Sequence, residues 1–378
     1  MITRFLSPSL HKTKKSILLL GPRQVGKSTI LSELKPELTI NLANETEFLS
    51  FATNPGEIES RIAEAKPKTI FVDEVQRLPS LLNTIQALID EDKSKRFFLS
   101  GSSARKLRRG QANLLPGRIF SYKLGPLSCL ELDFKMDTQK ALELGTLPEP
   151  YIETRTHAEK LLRSYTATYL REEILAESLT KQIQGFSRFL QIAAETSGQF
   201  LDFSKLASKA KVNRSAARRY YDLLEDTLLC DRVEAFQKDE IDLVKHPKYY
   251  FFDIGVVNGV LQNFKASADR VGTLMEHLFF NQLKNTSYCL DLDLKISHFR
   301  TRNGLEVDFV VEHRGITFLI EVKNSSPSGS ELSPLLAAKE YFSNSVECFV
   351  ACAAQVSKRV KDIRILHWQD VIKSIFEL

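Results

Sequence analysis

The sequence predicts an α/β protein of several domains: a parallel-sheet core, a helical connector, a helix-turn-helix module and a C-terminal α/β domain. Three observations carry this. The apolar strand Ile17–Leu20 runs into a glycine-rich loop and then a helix. A second unbroken apolar run, Thr69–Val72, ends in Asp73-Glu74. Near the C-terminus, two apolar runs joined by a short turn, Val307–Val311 and Ile316–Ile320, carry Asp308 and are followed by Glu321 and Lys323. The chain has 378 residues, 26% charged and 43% hydrophobic, an ordinary globular composition. A chain of this length buries several cores without covalent staples.

The formal net charge of +5 tolerates a polyanionic partner without demanding one. Cys129, Cys230, Cys289, Cys348 and Cys352 are scattered, with no CxxC pair. That pattern fits free thiols in a reducing compartment better than disulfides or zinc. The stretch "MITRFLSPSLHKTKK" lacks the apolar centre of a signal peptide, and "SILLL" is too short to span a bilayer. The expectation is a cytoplasmic protein with no membrane partner.

In "SILLLGPRQVGKSTILSEL", residues Gly21, Pro22, Arg23, Gln24, Val25, Gly26, Lys27 and Ser28 match G-x-x-x-x-G-K-[ST], followed by Thr29 in the helix. Glycines let the backbone wrap phosphates, and amide hydrogens at the helix start meet their charge. Lys27 would reach the β- and γ-phosphates of ATP, and the Ser28 hydroxyl would coordinate Mg2+. In "KTIFVDEV" the apolar run reads as a buried parallel strand, and ligands gather at the carboxyl ends of such strands. Asp73 would join the Mg2+ shell, and Glu74 would polarise the attacking water. A third strand, "RFFLSGSS", offers Ser100 and Ser102 for the γ-phosphate or the water, and a plain turn fits those residues equally. Arg105, Arg108, Arg109 and Arg118 follow. The first three read as a basic surface helix, which leaves Arg118, just before another strand, as the arginine-finger candidate.

With "GPRQVGK" and "FVDEVQ" in place, residues 1–125 resemble an AAA-type ATPase core. The similar group is bacterial and archaeal and fuses this core to a C-terminal domain of the DUF4143 type. "YLREEI", Tyr169–Ile174, matches a recurring segment of the group. The resemblance implies a P-loop AAA+ fold, a helical lid or connector over 126–185, ATP hydrolysis, and assembly into a homo-oligomer.

Residues 186–245 have a separate logic. Phe203, Leu206 and Ala207 outline a short helix, Lys211–Asn213 a turn, and Arg214 to Glu225 a second helix. Its buried face would use Ala217, Tyr220, Leu223 and Leu224, with Asn213 or Ser215 as cap. The strand "LLCDRVEAF" follows, which is the pattern of a winged helix-turn-helix. Lys205, Lys209, Lys211, Arg214, Arg218 and Arg219 load the outer surface with positive charge. Lys211, Arg214, Arg218 and Arg219 are the DNA-contact candidates, because cations on such a helix neutralise phosphates. A helical hairpin with a solvated basic face, used for protein contacts, is the alternative.

The region 246–378 continues with "KHPKYYFFDIGVVNGVL", a strand then a helix, and the amphipathic helix Gly272–Asn285 with Glu276 at the border of its apolar face. Strands "KISHFRTR", "LEVDFVVE" and "TFLIEVK" come next, then a helix near Leu335–Phe342 and the strand "VECFVA". The order α-β-β-β-α-β resembles restriction-endonuclease-like folds, whose PD-(D/E)xK acidic residues match Asp308 and Glu321, with Lys323 and Glu276. Hydrolysis of a phosphodiester with Mg2+ needs oxygen ligands on the metal and a group beside the attacking water. Asp308, Glu321 and Glu276 would be the ligands, Lys323 would orient the water, and Arg300 and Arg302 would grip phosphate. Spacing alone fits an ion pair within a hairpin just as well.

Together these readings predict an ATP-hydrolysing protein coupled to a Mg2+-dependent endonuclease of double-stranded or branched DNA. The alternative is an ATP-switched regulator whose nuclease-like domain binds DNA or protein without cleavage.

Overall fold

A computed structural model describes residues 2–102, 117–169, 183–237, 243–342 and 345–378. It divides into two compact units. The first comprises Met1–Gly125 with Asp226–Leu229 and Tyr288–Asp291; the second comprises Pro126–Glu225, Cys230–Ser287 and Leu292–Leu378.

The first unit is built on β1 (Ser16–Leu20), β2 (Leu38–Asn41), β3 (Thr69–Asp73), β4 (Arg96–Gly101) and β5 (Ile119–Lys123). All pairs are parallel, in the order β2-β3-β4-β1-β5. Leu18, Ile40, Val72 and Leu99 pack with Ile85 and Leu88 of the helix Leu81–Glu91. The unbroken apolar runs are needed because a parallel strand is covered on both faces. Register sets Leu20 beside Gly101 and Val72 beside Leu99. The loop after β1, the Asp-Glu pair ending β3 and the serines ending β4 therefore meet at one edge.

Gly21 shows how tightly the loop leaves β1. Its N–H donates to the Gly101 carbonyl at 3.1 Å. A Cβ there would collide with the backbone oxygen of Leu124, which cannot swing away like a side chain. Gly21→Ala should therefore destabilise the unit by about 1–3 kcal/mol, the usual cost of overpacking. Chemical denaturation checks it, and an unchanged midpoint contradicts it.

The second unit begins with the helices Thr138–Leu144, Pro148–Ile152 and Arg155–Ser164 and a π-turn at Tyr165–Tyr169. Most of the "YLREEI" segment, residues 170–174, lies outside the described residues. After the helix Ile183–Glu195 come Phe203–Ala210 and Arg214–Asp226, joined at Lys211–Asn213 as expected. Asp202 caps the first through the Ser204 and Lys205 amides at 2.9 and 3.2 Å. Of the two cap candidates for the second, Asn213 is the one that accepts from the Ala216 amide, at 2.7 Å. Ala217, Tyr220, Leu223 and Leu224 are buried. The strands β6 (Cys230–Val233) and β7 (Lys248–Phe251) pair antiparallel behind the two helices.

The helices Ile254–Leu261 and Val271–Cys289 lead to a six-stranded sheet: β8 (Lys295–Arg300), β9 (Glu306–His313), β10 (Ile316–Lys323), β11 (Ser345–Cys352), β12 (Ser357–Val360) and β13 (Ile363–His367). Its order is β12-β13-β11-β10-β9-β8. β8, β9 and β10 form the antiparallel meander, while β10, β11 and β13 are parallel. The helix Ser333–Lys339 makes the crossover and buries Leu335 and Ala338 against Val307, Leu319, Val350 and Ile365.

Candidate functional site: a phosphate loop and a carboxylate cluster

At the carboxyl edge of the first sheet, Gln24 (φ 63°) and Gly26 (φ 94°) both adopt the left-handed conformation. They flank the fully buried Val25. Alternation of this kind turns successive amides into an anion-binding concavity. The Lys27 side chain is buried, its Nζ donating to the Pro22 carbonyl at 2.8 Å. Ser28 Oγ donates to Asp73 Oδ1 at 2.8 Å, and Ser100 Oγ bonds the same oxygen. The motif residues of β1, β3 and β4 are thus physically joined.

Glu74 is also left-handed (φ 56°), which turns its side chain off the strand direction. Its N–H donates to Ser100 Oγ at 2.9 Å. Gln76 Nε2 bonds the Glu74 carboxylate and donates to Ser102 Oγ at 2.9 Å. Among the described residues Gln76 Oε1 is buried without a hydrogen-bond partner.

Two residues here were missed in the sequence. Gln76 was visible only as the last letter of "FVDEVQ". Arg4 lies far from the motif in sequence, yet it donates to the Val25 carbonyl and to the Gly125 carbonyl, the latter at 2.9 Å.

Arg118 does not join this site. β5 runs parallel to β1 with Ile119 beside Ser16, so Arg118 sits at the amino end of the strands. The loop is at the other end, about 15 Å along a five-residue strand. Arg118 Nε donates instead to Asp90 Oδ1 at 2.8 Å, and its guanidinium holds the Asp90 carboxyl down at about 2. Arg105, Arg108 and Arg109 lie outside the described residues.

In the second unit, the β9–β10 ladder runs to Phe309 beside Ile320. One step further along this register stand Asp308 and Glu321. Asp308 Oδ2 accepts the Val322 amide at 2.8 Å, and Lys323 Nζ donates to Glu321 Oε1 at 2.7 Å. Burial and then the charges of Glu276 and Glu321 push the Asp308 carboxyl well up. Burial also raises Glu321, against the opposing pull of Lys323.

Glu276 departs from expectation. Its Oε1 accepts from Lys248 Nζ at 3.0 Å and from Tyr250 Oη at 2.5 Å. Among the described residues no three His, Cys, Asp or Glu side chains gather closely enough to hold a metal ion. The expected shell of Glu276, Asp308 and Glu321 is not drawn together as one three-carboxylate group: an ammonium and a phenol hold Glu276, and the Lys323 ammonium holds Glu321. Lys248 also lies 3.4 Å from Glu306 Oε1, and Arg300 lies 3.4 Å from Glu306 Oε2. Lys248, Tyr250 and Glu306 were missed in the sequence. The one available signal was a lysine opening the aromatic strand "KYYF".

Lys211, Arg214, Arg218 and Arg219 are exposed on the helix pair, with Arg218 over the Phe203 ring at 5.2 Å. Arg302 is exposed, whereas Arg300 is committed to Glu306 and to the Phe200 ring at 4.7 Å.

A five-stranded parallel sheet in this order, with the glycine loop after β1 and Asp-Glu closing β3, defines a P-loop ATPase core of the AAA type. Residues 13–132 match the AAA_14 family (AAA domain). Residues 136–267 and 271–371 match the domains of unknown function DUF8612 and DUF4143. The chain thus carries an AAA domain of the AAA_14 type and, C-terminal to it, a DUF4143 domain.

It is similar to uncharacterised proteins of Mycobacterium tuberculosis (strain ATCC 25618 / H37Rv) and Mycobacterium bovis (strain ATCC BAA-935 / AF2122/97). Each is 25% identical over 335 residues, spanning 85% of this chain and 73% of theirs. Among solved structures it is similar to the replication initiator DnaA bound to AMPPCP and single-stranded DNA, with TM-score 0.29 and 10% identity over 58% of this chain and 85% of that one. A signal-transduction ATPase with a tetratricopeptide repeat sensor from Pyrococcus horikoshii follows, with TM-score 0.25 and 13% identity over 77% and 48%. No helix among the described residues is long and apolar enough to cross a membrane.

Proposed function

We propose that the protein hydrolyses ATP with Mg2+ and uses the cycle to drive a Mg2+-dependent endonuclease acting on double-stranded or branched DNA. The observation that carries the reading is the hydrogen-bonded chain Ser28–Asp73–Ser100, flanked by Lys27 and by Glu74 on its Gln76 and Ser102 supports. A hydroxyl beside a carboxylate, an ammonium and left-handed loop amides together fit a nucleoside triphosphate with Mg2+. Residues Gly21 to Thr29 wrap the phosphates, with Lys27 placed for the β- and γ-oxygens. Ser28 and Asp73 would hold the metal, Glu74 would orient water, and Ser102 keeps Glu74 in place through Gln76. When bound, the metal neutralises charge on the phosphates.

In the second unit Asp308 and Glu321 supply two carboxylates. That set suits Mg2+, which keeps several of its waters and takes one or two carboxylates from the protein. Lys323 is placed to orient water or meet developing charge. The basic helix pair Phe203–Ala210 and Arg214–Asp226, read as a winged helix-turn-helix, presents Lys211, Arg214, Arg218 and Arg219 to DNA phosphates, with Arg302 beyond. All five cysteines are buried free thiols, the state of a reducing cytoplasm. As in AAA-type cores generally, assembly into a homo-oligomer belongs to the reading.

A second reading rests on Glu276. Tied to Lys248 and Tyr250, it favours an ATP-switched regulator whose nuclease-like unit binds without cutting. Incubation with linear, single-stranded and four-way-junction DNA, with and without ATP and Mg2+, separates the two. Cleavage that needs Mg2+ is expected. Binding without cleavage of any form in Mg2+ or Mn2+ establishes the regulator.

The DNA surface has its own test. Arg218→Glu with Arg219→Glu should weaken binding and lower the slope of log affinity against log salt by about 2. Unchanged affinity and slope would assign this face to protein contacts.

A further inference from the structure

Two of the four carboxylates around the C-terminal sheet end carry cations from outside the Asp308–Glu321 pair. Lys248 opens β7 with a side chain only 3% exposed. Its Nζ stands 3.0 Å from Glu276 Oε1, 3.4 Å from Glu306 Oε1 and 4.7 Å from the centre of the Phe200 ring. Burial alone would lower this lysine, and the charges of Glu276, Asp308 and Glu306 outweigh that and hold it raised. Tyr250 donates to the same Glu276 oxygen at 2.5 Å, and Arg300 takes the second oxygen of Glu306 at 3.4 Å. A buried ammonium is tolerated only when paired, and here the pairing comes from helix Val271–Cys289 and strand β9 together. Glu276, Glu306, Asp308 and Glu321 face Lys248, Lys323 and Arg300.

We propose that Lys248 is the resident cation of this cluster, standing where a second metal would, so that the site takes one divalent ion on Asp308 and Glu321. A second divalent ion on Glu276 would sit at ligand distance from a buried ammonium, in surroundings that screen the repulsion poorly. Lys248 is then a positioning residue. It fixes Glu276 and Glu306 as the wall of the site and sets the metal count. The inference rests on the metal-dependent reading above and goes past it in assigning that count.

The test is Mn2+ binding to the nucleotide-free full chain, with free ion counted by electron paramagnetic resonance. Asp308→Asn marks which ion belongs to this site. Wild type should hold one Asp308-dependent Mn2+ per chain. Glu276→Gln should bind it within about twofold of wild type, because Glu276 is not a ligand. Lys248→Met should admit a second ion, and Lys248→Arg should keep the count at one.

Two Asp308-dependent ions in wild type would overturn the assignment of Lys248 while leaving the metal site intact. So would a loss of about tenfold or more in Glu276→Gln, the scale of removing a group the metal depends on. Neither measurement needs Lys248→Met to fold. If it folds and the count stays at one, the assignment is also overturned. Absence of any Asp308-dependent ion in every form would remove the metal-dependent reading itself, and Lys248 with it.

Discussion

Replacing Lys27 by alanine is expected to lower ATP turnover by about 10²–10³-fold, the scale of removing one preorganised electrostatic partner. The effect is large because the charge is prepaid. Lys27 is already desolvated at 4% exposure and held on the Pro22 carbonyl at 2.8 Å, so little rearrangement is needed to meet phosphate oxygens. Alanine removes both the ammonium and its anchor within the loop. Glu74→Gln should behave differently. It leaves Lys27, Ser28 and Asp73 in place, so ATP stays bound and unhydrolysed. Phosphate release at saturating ATP and Mg2+, with retention of labelled nucleotide, measures both. Wild-type turnover in Lys27→Ala would remove the phosphate-loop assignment.

Asp308→Asn should abolish Mg2+-dependent DNA cleavage and leave ATP turnover within about twofold of wild type, since the two sites are separate sets of residues. It should also make the metal-free protein more stable. The folded Asp308 carboxyl is pushed well above its ordinary value, by burial first and then by Glu276 and Glu321. A raised carboxyl detracts from stability once ionised. The loss begins as pH climbs past the unfolded value of about 3.9 and is complete above the folded one. Asparagine cannot ionise and keeps an oxygen for the Val322 amide. Its advantage should grow as pH rises from 4, reaching about 1–2 kcal/mol without divalent ions, the usual gain when a functional strain is relieved. Mg2+ should then raise the melting temperature of wild type only, because a ligand stabilises the state that binds it. A variant less stable than wild type at pH 8 without divalent ions would contradict the proposed electrostatics.

Local elements were legible because their signals are local. Strand, glycine loop and helix from Ile17 to Ser32, the Asp73-Glu74 strand end, the Asn213 cap and the β9–β10 turn each lie within one short window. Period and capping rules apply there without tertiary knowledge. The order α-β-β-β-α-β was legible for the same reason, although β12 and the final helix Trp368–Phe376 were passed over. Where Arg118 falls relative to the loop of its own chain depends on strand direction. A residue just before a parallel strand lies at the edge away from the ligand end. Gln76 was seen as part of a motif, but its grip on Glu74 depends on the left-handed turn at Glu74 itself.

By itself the sequence determined which groups this protein brings to chemistry: a phosphate loop, an Asp-Glu strand end, and two carboxylates with a lysine on one hairpin. Only the tertiary structure decided which of them stand together. Lys248, Tyr250, Glu276 and Glu306 come from a strand, a helix and a different sheet, and no local pattern announces that they meet. The reason is electrostatic. A buried charge is tolerable only beside its counter-charge, and which partner it finds is fixed by the packing of distant segments rather than by neighbours along the chain.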